Sequence, residues 1–308
     1  MRTCFVFPGQ GAQYAGMGRD LWDYSAQVKD IVHRASDCTG IDLKHALFNA
    51  TDEELKNTNL AQVAITTVNI AAAAVLNENG IQCDGAAGFS VGEYSALYVS
   101  GVLDFETLYA LIKARGDAMA AASEALRSEA GPPGMAAVIG LDYDRVAELC
   151  AKQLHNVYIA NYNSPTQIVI ASTAEGLAAA EGVLKGAGAK RIIPLRVSGP
   201  FHTPLIEGAR TQFGRAIEPY VFQDPKLPVY SNVTGAVVRS GAEAKDLCVR
   251  QVVTAVRWVD DERSILADGF ERVVEAGPGR VLTGLWKSVG GEIPCLPAGT
   301  VEQIKGLG

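Results

Sequence analysis

The stretch Ala86-Ala87-Gly88-Phe89-Ser90-Val91-Gly92-Glu93-Tyr94-Ser95-Ala96 decides the reading of the fold. Gly88, Ser90 and Gly92 fit G-x-S-x-G, in which a serine stands on a tight strand-to-helix turn with its hydroxyl pushed outward. The glycines suit such a turn, where the backbone is strained and neighbouring chain passes close by. Gly85, Ala86 and Ala87 read as the end of a short buried strand, and residues 92–99 are helix formers. A helix starting behind Ser90 points free amide N–H groups at any anion formed in front of it. In a chain with 32 glycines one such match arises readily by chance, so its meaning depends on what the rest of the chain supplies.

The 308 residues suffice for one large domain, or a large one with a smaller insert. A composition of 48% hydrophobic and 20% charged residues is that of a globular protein, and 32 glycines with 13 prolines suit an α/β fold with many tight turns. The net charge of −7 argues against a general nucleic-acid binder, while leaving room for a local basic patch. Cys4, Cys38, Cys83, Cys150, Cys248 and Cys295 are scattered, with no C-x-x-C pair and no histidine at metal-ligand spacing. Free thiols in a reducing cytoplasm, and no metal site, are expected. The apolar start at Thr3-Cys4-Phe5-Val6-Phe7 is too short for a signal-peptide core. No membrane-spanning run is expected either, because residues 65–76 are interrupted by Thr66, Thr67 and Asn69.

Residues 3–7 predict a buried strand, broken by Pro8-Gly9-Gln10-Gly11. That loop lacks the endings of phosphate-binding loops, and it puts Gln10 at the carboxyl end of a strand, where α/β proteins place their ligands. Helical patterns cover residues 19–39, 60–78 and 105–125, the last carrying Arg115 among apolar neighbours. Gly131-Pro132-Pro133-Gly134 is the clearest linker. Beyond it the pattern reads strand 135–139, helix 143–154, strands 157–160 and 167–172, helix 174–186 and strand 191–197. This β-α-β-β-α-β order predicts a ferredoxin-like module inserted in a larger domain, with residues 134–197 as the insert and residues 1–130 and 198–308 as the core. His202 then lies on a loop fixed by Gly199 and Pro200, ahead of a helix starting at Thr203-Pro204. Residues 228–231 and 272–275 read as strands, and residues 242–253 as a helix holding Gln251.

A serine hydroxyl is a poor nucleophile until a base takes its proton, and a neutral histidine does that near pH 7. His202 is the candidate base. The attacked carbonyl becomes an oxyanion, for which the Val91 N–H and Gln10 are candidate donors. No aspartate stands out as a third member, so another group, such as a backbone carbonyl, has to orient the imidazole.

Phe7-Pro8-Gly9-Gln10-Gly11, Gly88-Phe89-Ser90-Val91-Gly92-Glu93-Tyr94-Ser95, Asn163-Ser164-Pro165, Gly188-Ala189-Lys190-Arg191, Phe201-His202 and Gly277-Pro278-Gly279-Arg280-Val281-Leu282-Thr283-Gly284 together resemble the malonyl-CoA:acyl-carrier-protein transacylases. The motifs run in family order over nearly the whole chain. The resemblance implies a hydrolase-like α/β core with a parallel sheet and an inserted ferredoxin-like (βαββαβ) subdomain. It implies ping-pong transfer of a malonyl group from malonyl-CoA, through Ser90, to the phosphopantetheine thiol of acyl carrier protein, with no bound cofactor. His202 would be the base, with the Gln10 side-chain amide and the Val91 amide as the oxyanion hole. Arg115 would pair with the malonyl carboxylate, and Gln251, Asn163 and Phe201 would line the substrate site. A guanidinium meets a carboxylate through two parallel bonds, and acetyl would leave the buried arginine unpaired. Phe89 stands where the family most often has histidine, and Thr254-Ala255-Val256-Arg257-Trp258 lacks the usual proline before the valine. Carrier protein and malonyl-CoA are the expected partners of a cytoplasmic, monomeric chain that binds neither nucleic acid nor membrane. Lys190 and Arg191 are either a docking pair for the acidic carrier or two solvated charges. The alternatives are a serine hydrolase or thioesterase of the lipase-esterase class, an acyltransferase with another acyl-CoA preference, and a non-catalytic carrier-binding scaffold.

Overall fold

A computed structural model describes residues 1–195 and 197–308. Its strands, in chain order, are β1 (Thr3–Phe7), β2 (Gly85–Gly88), β3 (Gly134–Ile139), β4 (Tyr158–Ser164), β5 (Gln167–Ser172), β6 (Arg191–Pro194), β7 (Tyr230–Ser231), β8 (Ala236–Val237), β9 (Arg272–Glu275) and β10 (Cys295–Pro297). Apart from Thr3, β1 and β2 are apolar or glycine, and both are fully buried, as strands inside a parallel sheet must be. They form a parallel sheet in the order β10-β9-β1-β2. Alternate residues of β1 feed two different cores. Phe5 and Phe7 face one built largely by the helix Thr58–Glu78. Cys4 and Val6 face another around Trp258, Leu282 and Trp286.

The helix Thr58–Glu78 is long and apolar enough to cross a membrane, contrary to the expectation from its interrupted run. It is a core element instead, with 17 of its 21 residues buried. Its alanines let neighbours approach closely, and several of its polar groups are absorbed by hydrogen bonds, while Thr66 Oγ1 and Asn69 Oδ1 have no partner among the described residues. Thr67 Oγ1 donates to Val63 O at 2.8 Å. Asn69 Nδ2 donates to Pro8 O at 3.1 Å and to Ser95 Oγ at 3.3 Å. Asn69 thus fastens the loop after β1 to the helix behind Ser90.

Strands β3 to β6 form a second, wholly antiparallel sheet in the order β4-β5-β3-β6. One face, through Val138, Ile168 and Ile170, packs on Val146 and Leu149 of the helix Tyr143–Gln153 and on Ala180 and Leu184 of the helix Ala174–Gly186. The other face, through Met135, Ala137, Val169 and Ala171, joins the main core. β4 is longer than the strand expected at 157–160, because the segment continues as a sheet edge bonded to the core: Tyr162 N donates to Val256 O at 2.8 Å, and Val256 N to Ala160 O at 2.9 Å. β6 ends at Pro194, and the rest of the strand expected at 191–197 includes Arg196, which lies outside the described residues.

The loops after β1, β2 and β9 converge at the carboxyl ends of the parallel strands, where the order reverses about β1 and a crevice opens.

Candidate active site

Ser90 and His202 are both non-glycine residues in the left-handed region, with φ of 54° and 60°. Such backbone is costly and persists only where its surroundings enforce it. Around Ser90 they do. A Cβ on Gly88 would sit 2.0 Å from the carbonyl carbon of Gly92, and one on Gly92 would sit 2.1 Å from Phe7 O. Only glycine fits either position. Asn232, just after β7, clamps the turn: its Oδ1 accepts from Ser90 N at 2.7 Å, and its Nδ2 donates to Gly88 O at 2.8 Å and to Asp261 Oδ2 at 2.7 Å. Burial pushes the Asp261 carboxyl well above its usual range.

Ser90 Oγ lies 2.7 Å from His202 Nε2, and His202 Nδ1 lies 2.8 Å from the main-chain oxygen of Gln251. A carbonyl only accepts, so Nδ1 carries the proton and Nε2 presents its lone pair to the hydroxyl. Burial, with the nearby Arg115 cation, pushes the imidazole down to about 3, so the ring is neutral at pH 7. The backbone carbonyl takes the place that an aspartate holds in a triad.

Arg115 projects from the middle of the helix Phe105–Glu124 and is 1% exposed. Its Nη1 donates to Gln62 Oε1 at 2.6 Å; its Nη2 donates to Gln251 Oε1 at 2.9 Å and to Ser90 Oγ at 3.2 Å. No carboxylate pairs with it among the described residues. Its buried Nε–H has no hydrogen-bond partner among the described residues. A buried guanidinium held only by neutral acceptors, with a donor to spare, has the chemistry to receive an anion.

The Gln10 side-chain amide already donates to Thr58 Oγ1 at 3.3 Å, and Thr58 Oγ1 lies 2.6 Å from Ser198 Oγ. By contrast, the main-chain N–H groups of Gln10 and Val91 donate to nothing among the described residues. A cavity of about 50 Å³ opens here, lined by Gln10, Phe89, Val91, Arg115, Phe201 and His202 around Ser90, with Gln62, Met119, Met135, Asn161 and Val197 completing it. The ring of Phe89 meets Trp258 edge-on, with centroids 5.5 Å apart. Asn163 is not in this lining. The register of β4 shifts between Tyr162 and Ser164, which takes Asn163 out of the alternation and leaves Asn161 as the asparagine on the cavity.

Sequence reading assigned no role to Asn232, Asn161, Gln62 or Glu93. Glu93 is buried, and its Oε2 accepts from Gln251 Nε2 at 2.6 Å and from Asn232 N at 3.1 Å. Burial pushes its carboxyl up to about 7. A charged residue directly behind the G-x-S-x-G glycine, in an otherwise apolar helix, was the available signal for it.

An acyl transferase domain family matches the chain over residues 4–291. The malonyl CoA-acyl carrier protein transacylase of Bacillus subtilis (strain 168) is 36% identical over 307 residues, covering 99% of this chain and 95% of that protein. The crystal structure of an acyl carrier protein S-malonyltransferase from Vibrio cholerae superposes with a TM-score of 0.93 at 34% identity, covering 100% of both chains. A malonyl-transacylase solved in complex with its type II polyketide acyl carrier protein superposes with a TM-score of 0.91 at 34% identity, covering 99% of this chain and 98% of that one.

Proposed function

The chain belongs to the malonyl-CoA:acyl carrier protein transacylase family, and we propose the steps by which its own residues carry out malonyl transfer. The reaction moves a malonyl group from coenzyme A to the thiol of a carrier protein in two displacements on one serine. Malonyl-CoA enters with its carboxylate toward Arg115. His202 Nε2 takes the Ser90 proton as Oγ attacks the thioester carbonyl, and the carbonyl oxygen gains negative charge. The Val91 N–H and a donor from Gln10 receive that charge; Gln10's free main-chain N–H is the better placed of its two, since its side-chain amide is engaged by Thr58. The thiolate of coenzyme A leaves with the proton held by His202. The carrier thiol then repeats the steps in reverse and releases Ser90.

The observation that carries this reading is the conjunction at Ser90 Oγ: an imidazole lone pair at 2.7 Å and a buried guanidinium at 3.2 Å. A lipase or esterase has no use for a buried cation beside its nucleophile. The acyl carboxylate also changes the base. Once it neutralises Arg115, part of the field that depresses His202 disappears, and the imidazole becomes a stronger base in the complex. Phe89 and Phe201 wall the cavity with apolar rings, which offer a hydrolytic water beside the acyl group no hydrogen bond.

The core is residues 1–130 and 198–308, and residues 134–197 form a ferredoxin-like subdomain; the β4-β5-β3-β6 order with both helices on one face supports that assignment. Lys190 and Arg191 are exposed at its edge and would meet an acidic carrier. Six free cysteines fit a reducing cytoplasm. The test is capture of a malonyl group on Ser90.

A further inference from the structure

We propose that Glu93 is a positioning residue that fixes the side chain of Gln251, and through it the guanidinium of Arg115, so that Arg115 faces the acyl carboxylate. The proposal rests on the reading of Arg115 as the carboxylate receptor. Gln251 has two tasks on two different groups. Its main-chain oxygen anchors His202 Nδ1, while its side-chain amide bridges Glu93 and Arg115. The amide has one orientation that satisfies its neighbours. On one side stand two acceptors, Glu93 Oε2 at 2.6 Å and Ser90 O at 3.1 Å, so the NH2 group points there. On the other stands a donor that cannot accept, Arg115 Nη2 at 2.9 Å, so Oε1 points there. Of the two acceptors, Glu93 makes the shorter bond and is itself fixed by Asn232 N, which belongs to the clamp on Ser90. Glu93 stands in the first turn of the helix Gly92–Val99 that starts behind the nucleophile, so one buried carboxyl ties the elbow, the histidine anchor and the guanidinium into one unit. Glu93 touches neither the acyl group nor the hydroxyl in this arrangement. It acts by accepting hydrogen bonds, which a neutral glutamine oxygen also does.

The experiment measures binding of malonyl-CoA and acetyl-CoA by calorimetry in four proteins: Ser90→Ala alone, and Ser90→Ala combined with Glu93→Gln, Glu93→Leu or Gln251→Met. The methionine keeps the main-chain carbonyl that anchors His202 and removes only the bridge. Loss of one hydrogen bond to a charged group predicts that Glu93→Leu and Gln251→Met weaken malonyl-CoA about tenfold or more, with acetyl-CoA changed less than about threefold. Glu93→Gln stays within about threefold of its parent for both ligands. Equal weakening of both ligands, unchanged malonyl-CoA binding in Gln251→Met, or a Glu93→Gln variant as weak as Glu93→Leu overturns the proposal. Glu93→Gln and Gln251→Met decide the matter should the leucine variant not fold. A Ser90→Ala parent that binds the two ligands equally overturns the receptor role of Arg115 itself, and with it this proposal; an absent acyl group on wild-type Ser90 is instead a failure of the functional reading.

Discussion

Replacing Arg115 with alanine separates malonyl recognition from acyl transfer in general. The guanidinium has five N–H donors, three of which are used by Gln62, Gln251 and Ser90; one Nη1–H is unused and the Nη2–H on Ser90 Oγ is held only at 3.2 Å, so the Nη1/Nη2 edge can turn two parallel donors to a carboxylate. Two hydrogen bonds to a charged group contribute about 3–6 kcal/mol together. At about 1.4 kcal/mol per factor of ten, kcat/KM for malonyl-CoA should fall by about a hundredfold to ten-thousandfold. Acetyl-CoA has no carboxylate to lose, so its kcat/KM should change by less than about tenfold. The alanine also leaves Gln62 Oε1 and Gln251 Oε1 without their donor and opens a void, a destabilisation of about 2–5 kcal/mol. Circular dichroism and a denaturant titration of the variant must therefore accompany the kinetics. Arg115→Lys keeps the charge and loses the fork, and should fall between the two. The assay follows coenzyme A release with each acyl-CoA in the presence of carrier protein. A folded Arg115→Ala enzyme that loses both activities by the same factor would refute the reasoning.

Asn232→Ala removes the acceptor for Ser90 N, the donor for Gly88 O and the partner of buried Asp261, and should destabilise the protein by about 3 kcal/mol or more in urea denaturation while slowing acylation; an unchanged midpoint would show that the elbow holds itself. Because burial and Arg115 hold the free His202 near 3, the acid limb of kcat/KM should lie well below the ordinary histidine value of about 6.5. The neutral base is lost only as pH falls through that depressed value, and Arg115→Ala should move the acid limb of acetyl transfer upward, since one of the two depressing influences has gone. A limb that stays in place or moves down would contradict the electrostatic link between the two residues.

Ser90 and His202 were legible because their strained backbone leaves a mark in the chain: Gly88 and Gly92 around one, Gly199 and Pro200 before the other. Arg115 was legible as a cation in an apolar helix only once a carboxylate-bearing substrate was in view. The histidine anchor was not assignable to a residue, because every residue offers a main-chain carbonyl and only the folded turn selects that of Gln251. Asn232 lies 142 positions from Ser90, and Glu93 158 from Gln251, so nothing local marks either contact. Asn163 was implied only by the resemblance at Asn163-Ser164-Pro165, and the shift in register within β4, which local sequence does not mark, leaves Asn161 on the cavity instead. The helix Thr58–Glu78 shows the limit of composition: its polar residues suggested that it falls short of a membrane span, yet Thr67 and Asn69 hydrogen-bond within the core.

The most direct measurement is intact-protein and peptide mass spectrometry of the wild-type chain and Ser90→Ala after mixing with malonyl-CoA, before and after carrier protein is added. The account predicts one malonyl group on the peptide containing Ser90, its disappearance when the carrier thiol is supplied, and no adduct in the variant. A wild-type chain that stays unmodified, or a Ser90→Ala variant that acquires the same adduct, would contradict it.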